Sequence, residues 1–131
     1  MGVKLIKIAT FYLVIGILMG MYMSMSETFQ LRPVHTHINL LGWATMGLAG
    51  IYYVLFPKAG STVLARIHFW LHNIGLPLMM FGLGFLMYGN EALHILIPFG
   101  ATLTTISIIL FAWNIFQHVK ADDQSTISKV S

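Results

Sequence analysis

Four apolar stretches, Leu5–Met25, Val34–Phe56, Ile67–Tyr88 and Ala92–Gln117, take up most of the 131-residue chain. Each is close to the ~20 residues that an α-helix needs to cross a hydrocarbon core of about 30 Å. Inside lipid a backbone must satisfy its own donors and acceptors, so the expected fold class is all-α: an integral membrane four-helix bundle. The links Ser26–Pro33, Pro57–Arg66 and Gly89–Glu91 are short, which makes successive helices antiparallel neighbours. Residues 1–118 then form a single transmembrane domain, and 119–131, with Asp122, Asp123, Gln124, Ser125 and Thr126, have the composition of a polar, mobile tail. Hydrophobic residues make up 57% of the chain and charged residues 8%, against roughly 45–50% and about 25% in soluble domains. That balance excludes a soluble globular protein and a disordered one. Lys4 and Lys7 precede the first stretch as in a signal peptide, but the stretch is too long and no small-x-small cleavage site precedes Glu27. It reads as a retained helix.

The net charge of +3 comes from scattered Lys and Arg that form no basic patch, so nucleic acid is not an expected partner. Their placement reports orientation instead. In a four-helix arrangement Lys4, Lys7, Lys58, Arg66, Lys120 and Lys129 fall on one side and Arg32 on the other. By the positive-inside rule both termini are expected to be cytoplasmic, in the cytoplasmic membrane of a bacterium or archaeon. Membrane lipid is then the immediate partner. Cysteine is absent, which excludes a disulfide framework and thiolate metal sites.

Six histidines in so uncharged a chain demand an account. A polar side chain within a transmembrane helix needs a partner and is by default a functional-site candidate. The expected topology gives an outer group, His35, His37 and His94, and an inner pair, His68 and His72, with His118 at the inner boundary. His35 and His37 are two apart, so on an α-helix they point about 200° away from each other and cannot hold one ion together. They can serve two separate sites. Haem iron suits this geometry, because it takes one imidazole per face and draws its second ligand from another helix. The plainer reading has each histidine bonded to a carbonyl or to interfacial water. Small residues accompany two of them: His35 shares a face with Gly42, Met46, Ala49 and Tyr53, and His94 shares one with Pro98, Ala101, Thr105 and Ala112. Such stripes admit a close helix or a flat porphyrin.

His35-Thr36-His37, followed by Leu41-Gly42-Trp43, Ile51-Tyr52-Tyr53 and Pro57, resembles the tenth helix of the catalytic subunit of haem-copper oxidases and nitric oxide reductases. Ten residues beyond Pro57, Ile67-His68-Phe69-Trp70-Leu71 and Ile74-Gly75 resemble the start of that subunit's eleventh helix. The resemblance covers about residues 31–88, and extends more weakly to the first and last helices as counterparts of the ninth and twelfth. It implies that His35 faces a high-spin haem and His37 ligates a low-spin b-type haem. Leu31-Arg32-Pro33-Val34-His35-Thr36 also resembles the start of the family's second helix, which makes His35 a low-spin ligand instead. Arg32 is the outer cation available to a propionate. His94 has no counterpart in the family, so its part as a ligand rests on depth alone. The helices that carry the family's copper or non-haem iron ligands are missing, so the chain alone is not expected to be a complete oxidase; whether it is a component of one stays open.

His68 and His72 are four apart and share a helical face, a spacing able to hold a second metal or haem, though carbonyl or water bonding is the plainer account of them. Met19, Met21, Met23 and Met25 supply thioethers of the kind that select Cu(I), with His35 or His94 to complete a copper site; methionine is also an ordinary filler of apolar gaps. No Asp or Glu lies in the four stretches, so an intramembrane carboxylate proton relay has no candidate. The function expected is electron transfer or diatomic-gas chemistry on haem, with an electron-donor protein or a quinol as the redox partner. The competing class is a factor that handles haem or copper, or a cofactor-free accessory subunit of a respiratory complex. A homo-oligomer, with the dimer favoured, is expected to cover the face of helix 2 that four helices leave open.

Overall fold

The computed structural model describes residues 1–119, and the 120–131 segment, with Lys120, Lys129 and the polar tail, lies outside the described residues. Among them the chain is all helical: α1 Gly2–Ser26, α2 Arg32–Leu55, a short α3 Pro57–Gly60, α4 Val63–Met87 and α5 Leu96–His118. α1, α2, α4 and α5 are each long and apolar enough to cross a membrane. Their outward surface is apolar, with Phe11, Trp70, Phe81, Trp113 and Phe116 exposed, whereas the buried face of α5 is Gly100, Thr104, Ser107 and Asn114. Polar groups turned inward and aromatic groups turned outward reverse the soluble pattern and fit lipid as the solvent. The chain has the build of an integral membrane protein.

Packing proceeds hairpin by hairpin. α1 and α2 run antiparallel, with Gly2 against Gly50 and Val54 near one end and Gly20 against His35 near the other. α4 and α5 interlock more closely still: a Cβ on Gly100 would stand 2.5 Å from the Gly75 carbonyl oxygen and the Met79 nitrogen. The two hairpins then meet through α2 and α4. One apolar cluster, Leu5, Ala9, Met46, Ala49, Tyr53, Ala59 and Ala65, fills the end that holds α3. A second, Val34, Ile38, Leu76, Met79 and Met80, fills the end that holds Arg32.

Three boundaries depart from the apolar runs. α4 starts at Val63, four residues before Ile67, because the Thr62 hydroxyl accepts the Ala65 N–H at 3.0 Å and caps it. His68 and His72 are therefore the sixth and tenth residues of this 25-residue helix and lie deeper than an inner boundary. α5 starts at Leu96 rather than Ala92. Asn90 Oδ1 takes the Ala92 N–H at 2.9 Å, and tight turns follow from Glu91 to His94 and from Leu93 to Leu96. His94 thus sits in the preceding turn, exposed, and shares no helical face with Pro98, Ala101, Thr105 and Ala112.

The largest departure is inside α2, where Ile38–Thr45 is a π-helix between α-helical ends. The wider turn takes up one residue. Positions facing α1 run His35, Asn39 and Gly42 into it but Gly47 and Gly50 after it, while Met46, Ala49 and Tyr53 turn to the bundle centre. The stripe expected from His35 through Gly42 to Met46, Ala49 and Tyr53 is therefore split between two faces. Carbonyls that a π turn exposes need other donors in lipid. Leu40 receives the Thr45 hydroxyl at 2.8 Å, and Leu41 receives His72 Nε2–H at 3.1 Å.

Candidate functional site

At the Arg32 end, α2 opens with Pro33 in its first turn, where a missing N–H is harmless. The Pro33 carbonyl accepts the His37 Nδ1–H at 2.7 Å. A carbonyl can only accept, so the proton of neutral His37 is on Nδ1 and the lone pair is on Nε2. That second nitrogen has no hydrogen-bond partner among the described residues, and the ring is half-buried. An imidazole held by one nitrogen to a backbone carbonyl, with the other free, is oriented as metal-bound histidines are. Arg32, exposed one turn earlier, lays its guanidinium 5.3 Å from the Phe29 ring centre.

His35 is placed differently. Its Cε1 would be 3.0 Å from a Cβ on Gly20, so the ring is wedged against the α1 backbone. Asn39 buttresses it, donating to the His35 carbonyl at 2.8 Å and lying 3.4 Å from ring Nδ1, while its own amide fills the space over Gly16. His35 is half-buried like His37, but one edge of its ring rests on α1. His35 and His37 thus serve different surroundings, and His94 stands apart in its exposed turn. Among the described residues no three of His, Cys, Asp or Glu gather closely enough to hold one ion. The methionine run also divides: Met23 is buried and Met19 packs on the second cluster, whereas Met21 and Met25 are exposed. The four thioethers do not form one face.

The inner pair is built into the bundle centre. His72, fully buried, donates from Nε2 to the Leu41 carbonyl, and its Nδ1 lies 3.1 Å from the Ser107 hydroxyl, whose single proton also faces the Thr104 carbonyl at 2.8 Å. Both of its nitrogens are thereby engaged in joining α4 to α2 and α5. His68 meets the Tyr53 hydroxyl through Nδ1 at 3.2 Å and packs edge to face on His72. Its Nε2 is the one buried side-chain nitrogen or oxygen without a hydrogen-bond partner among the described residues. Below them Asn114 of α5 donates to the Ala59 carbonyl at 2.9 Å and accepts from Thr62 at 3.1 Å, closing the α3 end. Sequence reasoning singled out the histidines but missed Ser107, Asn114, Tyr53 and Asn39. The signal for two of them was the small and polar stripe of α5, Gly100, Thr104, Ser107 and Asn114, whose spacing follows one helical face.

No family model matches the chain, and no curated protein or solved structure is similar to it.

Proposed function

We propose that the chain is a membrane haem-binding protein related to the catalytic subunit of haem-copper oxidases and nitric oxide reductases, acting in electron transfer or diatomic-gas chemistry. The observation that carries this reading is His37, whose Nδ1–H is tied to the Pro33 carbonyl at 2.7 Å while Nε2 stays free. That is the donor chemistry an axial haem ligand requires. In this reading His37 holds the iron of a b-type haem and Arg32 pairs with a propionate. A bound haem would supply a one-electron couple at the Arg32 end. His35, wedged against Gly20, supports the helix pair rather than the iron. Among the described residues Lys4, Lys7, Lys58 and Arg66 lie at the end of the N-terminus and Arg32 at the other, which by the positive-inside rule turns the Arg32 end outward. The experiment is an absorbance spectrum of the detergent-purified protein: a Soret band with split visible bands on reduction is expected, and a colourless protein after expression with ample haem overturns the reading.

One observation favours a cofactor-free alternative. His35 and His72 both act in helix packing, as in an accessory subunit that keeps such helices for structure alone. A colourless protein that copurifies with a larger respiratory complex supports that alternative.

A further inference from the structure

α1 and α4 do not pack on one another; they form the two walls of an apolar groove of about 560 Å³ floored by Val34 and Ile38 of α2. On α1 the groove runs from Ile8 to Met19, about 16 Å at the helical rise. A second cavity of about 460 Å³ shares Met80 and Phe81 with it and continues along α4 past Gly84 to Tyr88. The two lie end to end along α4, from mid-helix to the Arg32 end, and share Met80 and Phe81; together they are termed the channel.

Two features separate this channel from an ordinary gap between helices. The first is Gly84. Gly75, Gly82 and Gly100 each lie so close to the partner helix that a Cβ would collide, but a Cβ on Gly84 meets nothing within 4 Å. Helix packing gives Gly84 no reason to be glycine, and its missing side chain keeps the channel open. The second is the deep end, where Tyr12 and Asn73 line the groove, each the eleventh residue of its 25-residue helix. α1 and α4 run in the same direction, so these two polar groups stand at one level near the middle of the span. The Tyr12 hydroxyl has no hydrogen-bond partner among the described residues. Asn73 spends one amide N–H on the Phe69 carbonyl at 2.7 Å and keeps the other N–H and Oδ1. Pro77, also in the wall, has no N–H, so the Asn73 backbone carbonyl lacks the donor that an α-helix would give it.

We infer that this channel binds a lipid-soluble quinone, its ring between Tyr12 and Asn73 and its apolar chain running outward over Met80, Phe81 and Gly84. A phospholipid could enter at this depth only with its acyl chains, which would leave the Tyr12 hydroxyl and the Asn73 amide without partners, because its ester carbonyls and charged head stay near the surface. A neutral ring can go there. The quinone form accepts hydrogen bonds from the Tyr12 hydroxyl and the Asn73 amide, and the quinol form donates to the Asn73 carbonyls, so the same groups suit both oxidation states. Quinol as electron donor to haem would rest on the function proposed above, but the binding site itself does not.

The test uses the whole protein in phosphatidylcholine nanodiscs, with menaquinone-4 as the probe and native mass spectrometry as a readout independent of haem. One quinone per chain is expected at saturation. Gly84→Leu, which fills open space and leaves helix packing intact, and Tyr12→Phe, which removes only the hydroxyl, should each weaken binding about tenfold, the effect of one lost favourable contact. A melting curve unchanged by Gly84→Leu confirms that the variant is folded. Absence of saturable binding, equal binding by both variants, or retention of phosphatidylcholine alone overturns the inference. A haem-free protein that still binds menaquinone-4 would sink the haem reading and leave this one standing.

Discussion

At the scale of single residues, the histidines divide by what their nitrogens already do. His37 has one nitrogen committed to the Pro33 carbonyl and one free, whereas His72 has both committed inside the bundle. His37→Ala should therefore abolish or convert a low-spin haem spectrum, because iron that loses an axial imidazole becomes five-coordinate or takes water. His68→Gln should leave the band positions where they are. The reverse pattern would move the haem to the bundle centre and remove the case for the outer site. His72→Leu acts on stability instead. It strands the Leu41 carbonyl in a dry interior, at a penalty of about 1–3 kcal/mol for a buried polar group left unsatisfied, while the Ser107 hydroxyl keeps the Thr104 carbonyl at 2.8 Å. Unfolding by a denaturing detergent should occur at distinctly lower denaturant for this variant than for the parent, and an unchanged midpoint would show that His72 does not hold the helices together. The sequence alone could name these residues but not sort them. His-x-His spacing separates His35 from His37 on any helix, yet only the glycine at position 20 of α1 shows which of the two is wedged.

At the scale of elements, close helix contacts carry the assembly. α4 and α5 touch backbone to backbone at Gly75 and Gly100, so Gly100→Val must push the helices apart or displace Met79. Overpacking of that kind commonly costs about 1–3 kcal/mol. A lowered melting temperature in detergent is expected for Gly100→Val, and none for Gly84→Leu, whose Cβ enters open space; equal effects would contradict the packing described. Helix number, order and antiparallel pairing were legible from four apolar runs and short links, because hydrophobic length reports span directly. Starts of helices were not, since Thr62 and Asn90 set them through hydrogen bonds that hydropathy does not register. The π segment was hidden for a related reason. Ile38–Thr45 reads as ordinary α-helix by composition, and the Leu41 carbonyl within its wider turn finds a donor in His72, some thirty residues on. The extra residue taken up by the π segment rephases the rest of α2, which is why a stripe drawn from His35 with α-helical spacing lands on the wrong face past Gly42.

For the whole molecule, orientation and copy number both bear on the proposed haem. A reporter fused after Lys129 should be active only in its cytoplasmic form if the Lys and Arg asymmetry sets the topology; activity on the other side would turn the Arg32 end inward. Copy number follows from ligand supply. His37, His68 and His118 each keep an oriented, unengaged Nε2, but His68 is buried in the bundle centre and His118 lies at the far end of α5, so at the Arg32 end each chain offers one such donor, His37. A six-coordinate haem needs two such donors. A two-fold axis beside α2 would bring His37 of each copy to the same iron, and closed two-fold symmetry is the commonest arrangement of homo-oligomers. The expected particle in mild detergent is therefore a dimer that carries one haem per two chains, low-spin when reduced and little changed by carbon monoxide because both axial positions are filled. His37→Ala should release the haem without dissolving contacts elsewhere in each bundle. A monomer with one haem that shifts strongly on carbon monoxide would instead place an open coordination position on each chain, and gas binding rather than electron transfer would become the chemistry to pursue.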